Sequence, residues 1–85
     1  MTDKVYLRRL TVEEAALKLD KYLHDAFMAG FYRVSVVHGK GTGTLCRTVH
    51  EQLAKHPLIN SYRLGGEGEG GAGVTIVYLA TKEQT

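Results

Sequence analysis

Between Val12 and Ala29 the apolar residues Val12, Ala15, Ala16, Leu19, Leu23, Ala26 and Phe27 recur three and four positions apart, with no Gly or Pro inside. That spacing places them on one stripe of an amphipathic helix. Thr11 and Glu14 have the pattern of a capping box at its start, and Gly30 supplies a left-handed stop. Phe31 to His38 is β-branched and aromatic, ends in a near-continuous apolar run, and reads as a central strand. A second helix runs from about Thr44 to Lys55, with Leu45, Val49 and Leu53 on one stripe and Pro57 blocking its continuation. Lys4 to Arg9, Ile59 to Leu64 and Val74 to Leu79 complete the set as strands.

The order is therefore βαβαββ, a two-layer α/β (α+β) domain with a four-stranded mixed sheet and two helices on one face. Helical connections predict that strands one and two, and two and three, pair in parallel, with strand four returning antiparallel. In such a sheet Arg8 and Arg9, His38 with its loop, and the Gly65 to Gly73 loop all follow carboxyl ends of parallel strands. They are expected along one edge, where ligands of open α/β sheets bind.

Composition narrows the classes. Eighty-five residues make one domain, here residues 1–85 with an ordered core from about 4 to 80. A single cysteine, Cys46, excludes an intrachain disulfide, and four histidines without zinc-finger spacing suggest no structural metal. No apolar stretch reaches the ~20 residues of a membrane span; a reducing, cytoplasmic location is expected and no membrane partner. A net charge of +2 is compatible with nucleic acid but is not that of a bulk polycation, so any anion site must be local.

Nine of the ten glycines lie in two stretches, Gly39 to Gly43 and Gly65 to Gly73. The first, His38-Gly39-Lys40-Gly41-Thr42-Gly43, joins a strand to a helix start, so bare backbone amides, the helix dipole and the Lys40 charge can receive an anion. The alternative is a tight turn and nothing more. It is not a phosphate loop of the Walker A kind, because the lysine comes too early. His38 is placed either to exchange a proton near neutrality or to cap the turn. Arg8 and Arg9, as successive strand residues, are expected to point to opposite faces, so that one of them joins His38. Glu67 and Glu69 lie in a loop expected to be too flexible to hold a metal tightly unless substrate or neighbouring backbone orders it, leaving ligand, base and solubility roles open. Asp20 and His24 read as an exposed i, i+4 pair; His50 and His56 lack a third partner at ligand spacing, and Cys46 reads as a small core or flank residue.

Three blocks, Leu10-Thr11-Val12-Glu13-Glu14-Ala15, His38-Gly39-Lys40-Gly41-Thr42-Gly43 and Glu69-Gly70-Gly71-Ala72-Gly73-Val74-Thr75, resemble the small MutS-related (Smr) domain, best known at the carboxyl end of the second bacterial MutS paralogue. The resemblance spans nearly the whole chain. It implies a fold similar to the carboxyl domain of translation initiation factor three. It also implies binding to DNA or RNA backbones, and in many members nicking endonuclease activity, with Mg or Mn as an open cofactor question, in DNA repair and recombination control. A MutS-like ATPase region in the same chain and the ribosome are the implied partners, and the chain is expected to be the carboxyl-terminal fragment of a longer protein. On this reading His38 is the general acid or base and Glu69 a second catalytic candidate. Arg8, Arg9, His38, Gly39, Lys40, Gly41, Thr42 and Gly43 form the nucleic-acid contact. The family's leucine-aspartate-leucine, histidine or arginine, glycine signature falls on Val5-Tyr6-Leu7-Arg8-Arg9. Tyr6 thus stands where an acidic residue belongs and Arg9 where a glycine does, which favours a non-catalytic docking module as the alternative.

Overall fold

A computed structural model describes residues 2–41 and 43–80; Thr42 of the expected contact set lies outside them. The elements are β1 (Lys4–Tyr6), α1 (Val12–Met28), β2 (Arg33–Val37), α2 (Thr44–Ala54), β3 (Ile59–Leu64), a single 3-10 turn (Gly71–Gly73) and β4 (Val74–Leu79). The capping box forms as the sequence predicts: the Glu14 amide donates to the Thr11 hydroxyl at 3.1 Å, and the Thr11 amide donates to the Glu14 carboxylate at 2.9 Å. Thr11's bonds also hold the Glu14 carboxyl below its ordinary pKa.

The strands lie in the order β1-β2-β4-β3, with β1 and β2 parallel and β4 antiparallel to both its neighbours. This corrects the expectation that β3 lies beside β2: the two run in the same direction with β4 between them. The reason is burial. Five of the six β4 residues are fully buried, whereas Asn60, Ser61, Arg63 and Leu64 of β3 are exposed, so β4 takes the interior position and β3 the edge.

Val5, Val34, Val36, Val77 and Leu79 occupy one alternation class of the sheet and meet Ala15, Leu19, Leu23 and Ala26 of α1 and Val49 and Leu53 of α2 in one core. Both helices therefore cover the same face. Leu19 and Leu23 are 0% exposed, and each side chain buried in this way contributes about 1.5–3 kcal/mol. The layer is also tied by the Gln52 side-chain amide, which donates to the Ala16 carbonyl at 3.0 Å.

Candidate nucleic-acid interface

Leaving β1, the chain turns at once. The Leu7 amide donates to the Val37 carbonyl, the Leu10 amide to the Leu7 carbonyl, and Arg9 takes φ +69°. Because the strand stops at Tyr6, Arg8 and Arg9 are turn residues and not alternating strand residues. Both line the same basin, contrary to the expectation that they diverge.

That basin, about 610 Å³, is walled by Arg8, Arg9, His38, Gly39, Lys40, Gly41 and Gly43, by the first turn of α2, and by Gly70 and Gly73 from the second glycine loop. The expected gathering of three distant segments at one sheet edge is thus present. Contact between the two loops depends on missing side chains: a Cβ on Gly73 would lie 3.3 Å from Lys40 Cγ and 3.5 Å from the Gly39 carbonyl carbon. The Gly73 carbonyl in turn accepts from the amides of His38 and Gly39 at 3.1 and 2.9 Å. Gly43 caps α2 with φ +84° and no side-chain cap bond, and no acidic residue occupies the first turn. The positive end of the helix dipole therefore meets no carboxylate in its own first turn. Arg8, Arg9 and Lys40 are exposed, and none belongs to an ion pair among the described residues. The basin wall carries no carboxylate among those residues, so the described residues supply no carboxylate ligand for Mg or Mn there.

His38 is placed differently from a solvent-facing acid or base. It is 4% exposed, with Nδ1 3.0 Å from the Gly39 carbonyl oxygen and Nε2 2.8 Å from the Thr75 hydroxyl. A carbonyl only accepts, so Nδ1–H donates, and in the neutral ring Nε2 accepts the Thr75 hydroxyl proton. His50 Nε2, 2.7 Å from the same oxygen, must then donate to it. This relay fixes the loop against β4 and α2, which is the turn-capping alternative for His38. Burial, and after it the neighbouring His38, lowers the pKa of His50.

Glu69 is not brought into the basin wall. Its carboxylate accepts from Arg63 on β3 at 2.7 and 2.9 Å, from Arg33 on β2 at 2.8 Å and from the Gly66 amide at 2.8 Å. Since β4 lies between β2 and β3, the glutamate bridges over it and the loop covers Ile76, which is 1% exposed. The Arg63 bonds, then Gly66 and Arg33, hold the Glu69 carboxyl down at about 2. Neighbouring backbone orders the loop, the condition under which it could hold a group in place: it is closed by bonds from the Gly65 amide to the Val74 carbonyl and from the Glu69 and Gly71 amides to the Gly66 carbonyl. Glu67, within it, is exposed.

Comparison with known proteins now has a site to address. The Smr domain profile matches residues 5–80. The chain belongs to the Smr domain family. It is 55% identical over 76 residues to "Endonuclease MutS2" of Clostridium beijerinckii and 55% identical over 76 residues to that of Thermomicrobium roseum, covering 89% of this chain and 10% of each relative. This Smr domain thus spans about a tenth of the length of those relatives. The crystal structure of the Smr domain of Thermus thermophilus MutS2 superposes with a TM-score of 0.90 at 40% identity, covering 93% of this chain and 99% of that one. YdaL, a stand-alone small MutS-related protein from Escherichia coli, shares the fold, with a TM-score of 0.86 at 24% identity over 93% of this chain and 65% of its own.

Against the family signature, Tyr6 lies on the sheet face away from the helices, 56% exposed and outside the basin wall. Arg9 keeps the left-handed backbone of the glycine it stands for, a conformation costing a side-chain-bearing residue about 1–2 kcal/mol. Two polar clusters in this Smr domain escape sequence reasoning. His38, Cys46 and His50 place ligand atoms within 4.8 Å of one another, and so do Asp20, His24 and His56. The i, i+4 spacing of Cys46 and His50, and of Asp20 and His24, was the available signal; the third member of each comes from a distant segment.

Proposed function

We propose that this domain grips the phosphate backbone of DNA or RNA in the basin at the start of α2. One observation carries the reading: Arg8, Arg9 and Lys40, from two segments, converge, without an ion pair among the described residues, beside a glycine loop and a helix start that has no acidic residue in its first turn. Guanidinium groups engage phosphate oxygens in pairs, Lys40 adds a point charge, and the loop amides complete an anion cradle. No array of side chains stands ready to read base edges, so recognition rests on the backbone and is salt-sensitive. Attached to a MutS-like region, such a module serves as a grip on the polymer.

Nicking is a second reading, and the name of the relatives, Endonuclease MutS2, favours it. The basin offers less to it than to binding, because the His38 nitrogens are bonded inward and the wall lacks a carboxylate. Gel retardation of supercoiled plasmid and a structured RNA over a salt series, with magnesium, with manganese and with chelator, tests both readings. Removing Arg8 and Lys40 together (Arg8→Ala, Lys40→Ala) should lower affinity by about 10- to 100-fold at low salt, and Lys40→Ala alone should flatten the log–log salt slope by about 1. Unchanged affinity and slope in the folded double variant would sink the binding reading. Magnesium- or manganese-dependent nicking that disappears in His38→Ala would establish the second.

A further inference from the structure

The two polar clusters differ in how their rings are held. In Asp20–His24–His56, His56 Nδ1 accepts from the Leu58 amide at 3.2 Å, so its proton sits on Nε2, the nitrogen that faces Asp20 at 3.0 Å. A ring held that way has no lone pair to offer toward the carboxylate. In His38–Cys46–His50 one ring is reversed: the His38 Nδ1–H is held by the Gly39 carbonyl, so its Nε2 carries the lone pair, which accepts from the Thr75 hydroxyl, whereas His50 Nε2 donates to that hydroxyl and must change tautomer to ligate. A ring N–H anchored on a backbone carbonyl is the outer-shell arrangement found behind metal-bound imidazoles.

We propose that His38 Nε2, His50 Nε2 and Cys46 Sγ form a binding site for a zinc-class divalent cation. Cys46 and His50 lie one helical turn apart on α2, with Sγ 3.9 Å from Nε2, and all three ligand atoms fall within 4.8 Å of one another. Tetrahedral zinc with Zn–N near 2.0 Å and Zn–S near 2.3 Å sets ligand atoms roughly 3.3–3.7 Å apart, so movements of an ångström or less close the set. The Thr75 hydroxyl now occupies both Nε2 atoms, so a cation that takes them exchanges those two hydrogen bonds for metal bonds. On binding, the thiol releases its proton to solvent and His50 moves its proton from Nε2 to Nδ1. A set of two imidazoles and one thiolate prefers zinc, or cobalt as its probe, over Mg or Mn, which take oxygen. Three protein ligands leave the fourth position open. His38 and Cys46 also line the basin, so a bound cation adds positive charge behind the glycine loop.

Cobalt and zinc titrations of the reduced chain test this without reference to nucleic acid. One equivalent of cobalt should give intense tetrahedral d–d bands and a thiolate-to-metal charge-transfer band, and zinc should displace it. Cys46→Ser and His50→Ala, with folding checked by circular dichroism, should each weaken zinc binding by at least about 100-fold, since loss of a ligand exceeds the 10- to 100-fold typical of an outer-shell partner. His24→Ala, in the other cluster, should leave it unchanged. A weak octahedral cobalt spectrum without the sulfur band, or zinc affinity indifferent to Cys46→Ser, would overturn the site.

Discussion

The two glycine-rich loops look alike in composition and behave oppositely in the fold. The Gly39–Gly43 loop carries exposed Lys40 beside Arg8 and Arg9, none of them in an ion pair among the described residues, and a Cβ at Gly41 would meet nothing within 4 Å. In the Gly65–Gly73 loop, by contrast, a Cβ at Gly65 would lie 3.0 Å from the Gly71 carbonyl oxygen, one at Gly70 2.4 Å from Val74 Cγ2, and its glutamate is locked by two arginines. Gly41 and Gly43 in the first loop leave space for something from outside, whereas Gly65 and Gly70 in the second stand where a side chain would collide with the loop itself or with Val74. Glycine content alone therefore does not mark a ligand site; the charges around it, and whether they are already paired, make the distinction.

Alanine substitution breaks the comparison most sharply. Gly70→Ala adds a side chain at φ +102° into Val74 and should destabilise the domain by about 2–4 kcal/mol, from backbone strain plus overpacking. Gly41→Ala, in open space without a positive φ, should cost no more than about 0.5 kcal/mol. Urea denaturation of both variants decides the matter, and equal costs would mean that the loops are not distinct in packing. Next in size is Arg9→Gly, which relieves the left-handed arginine and should raise stability by about 0.5–1 kcal/mol after the greater unfolded-state freedom of glycine is subtracted. The same change removes one basin cation, so tighter folding should accompany weaker retardation. A variant less stable than the parent would show that Arg9 makes contacts that outweigh its strain.

The smallest effect concerns the locked glutamate. Its carboxyl titrates at about 2 in the folded chain against an ordinary 4.5. A lowered folded value means that its contribution is fully present above pH 4.5 and is lost as pH falls through about 2. Thermal melts of the parent and Glu69→Gln should therefore converge over that window and stay apart above it, by a modest amount because these side chains are partly exposed. Nucleic-acid binding at neutral pH should be unchanged in Glu69→Gln, which separates the second loop from the first. A constant difference in melting across the window would remove the carboxylate clamp from the account.

Both helices, the caps of α1 and all the strands were legible in the sequence, to within three residues at each end, because periodicity, capping pairs and punctuating residues act over four or fewer positions. The basin could also be anticipated, since chain direction alone sends three loops to the same edge. Less was readable at single residues. Arg8 and Arg9 were expected to diverge because nothing local announces that β1 stops at Tyr6 and turns through a left-handed arginine. Glu69 resembled a candidate base until Arg33, 36 positions away, was seen to reach it. The position of β4 between β2 and β3 follows from which strand is apolar on both faces, a signal present in Val74 to Leu79 but easily overridden by connection order.

What the amino-acid order determined by itself, then, was a set of local elements, their sequence along the chain, and a family pattern in three blocks. Tertiary structure alone decided which charges remain free and which are neutralised, and which ring nitrogens are occupied. Those outcomes depend on pairs such as His38 and Thr75, 37 positions apart, and His50 and Thr75, 25 apart. Hydrogen-bond and ion-pair energies fall away over a few ångströms, so they are set by distances that do not exist until the sheet closes.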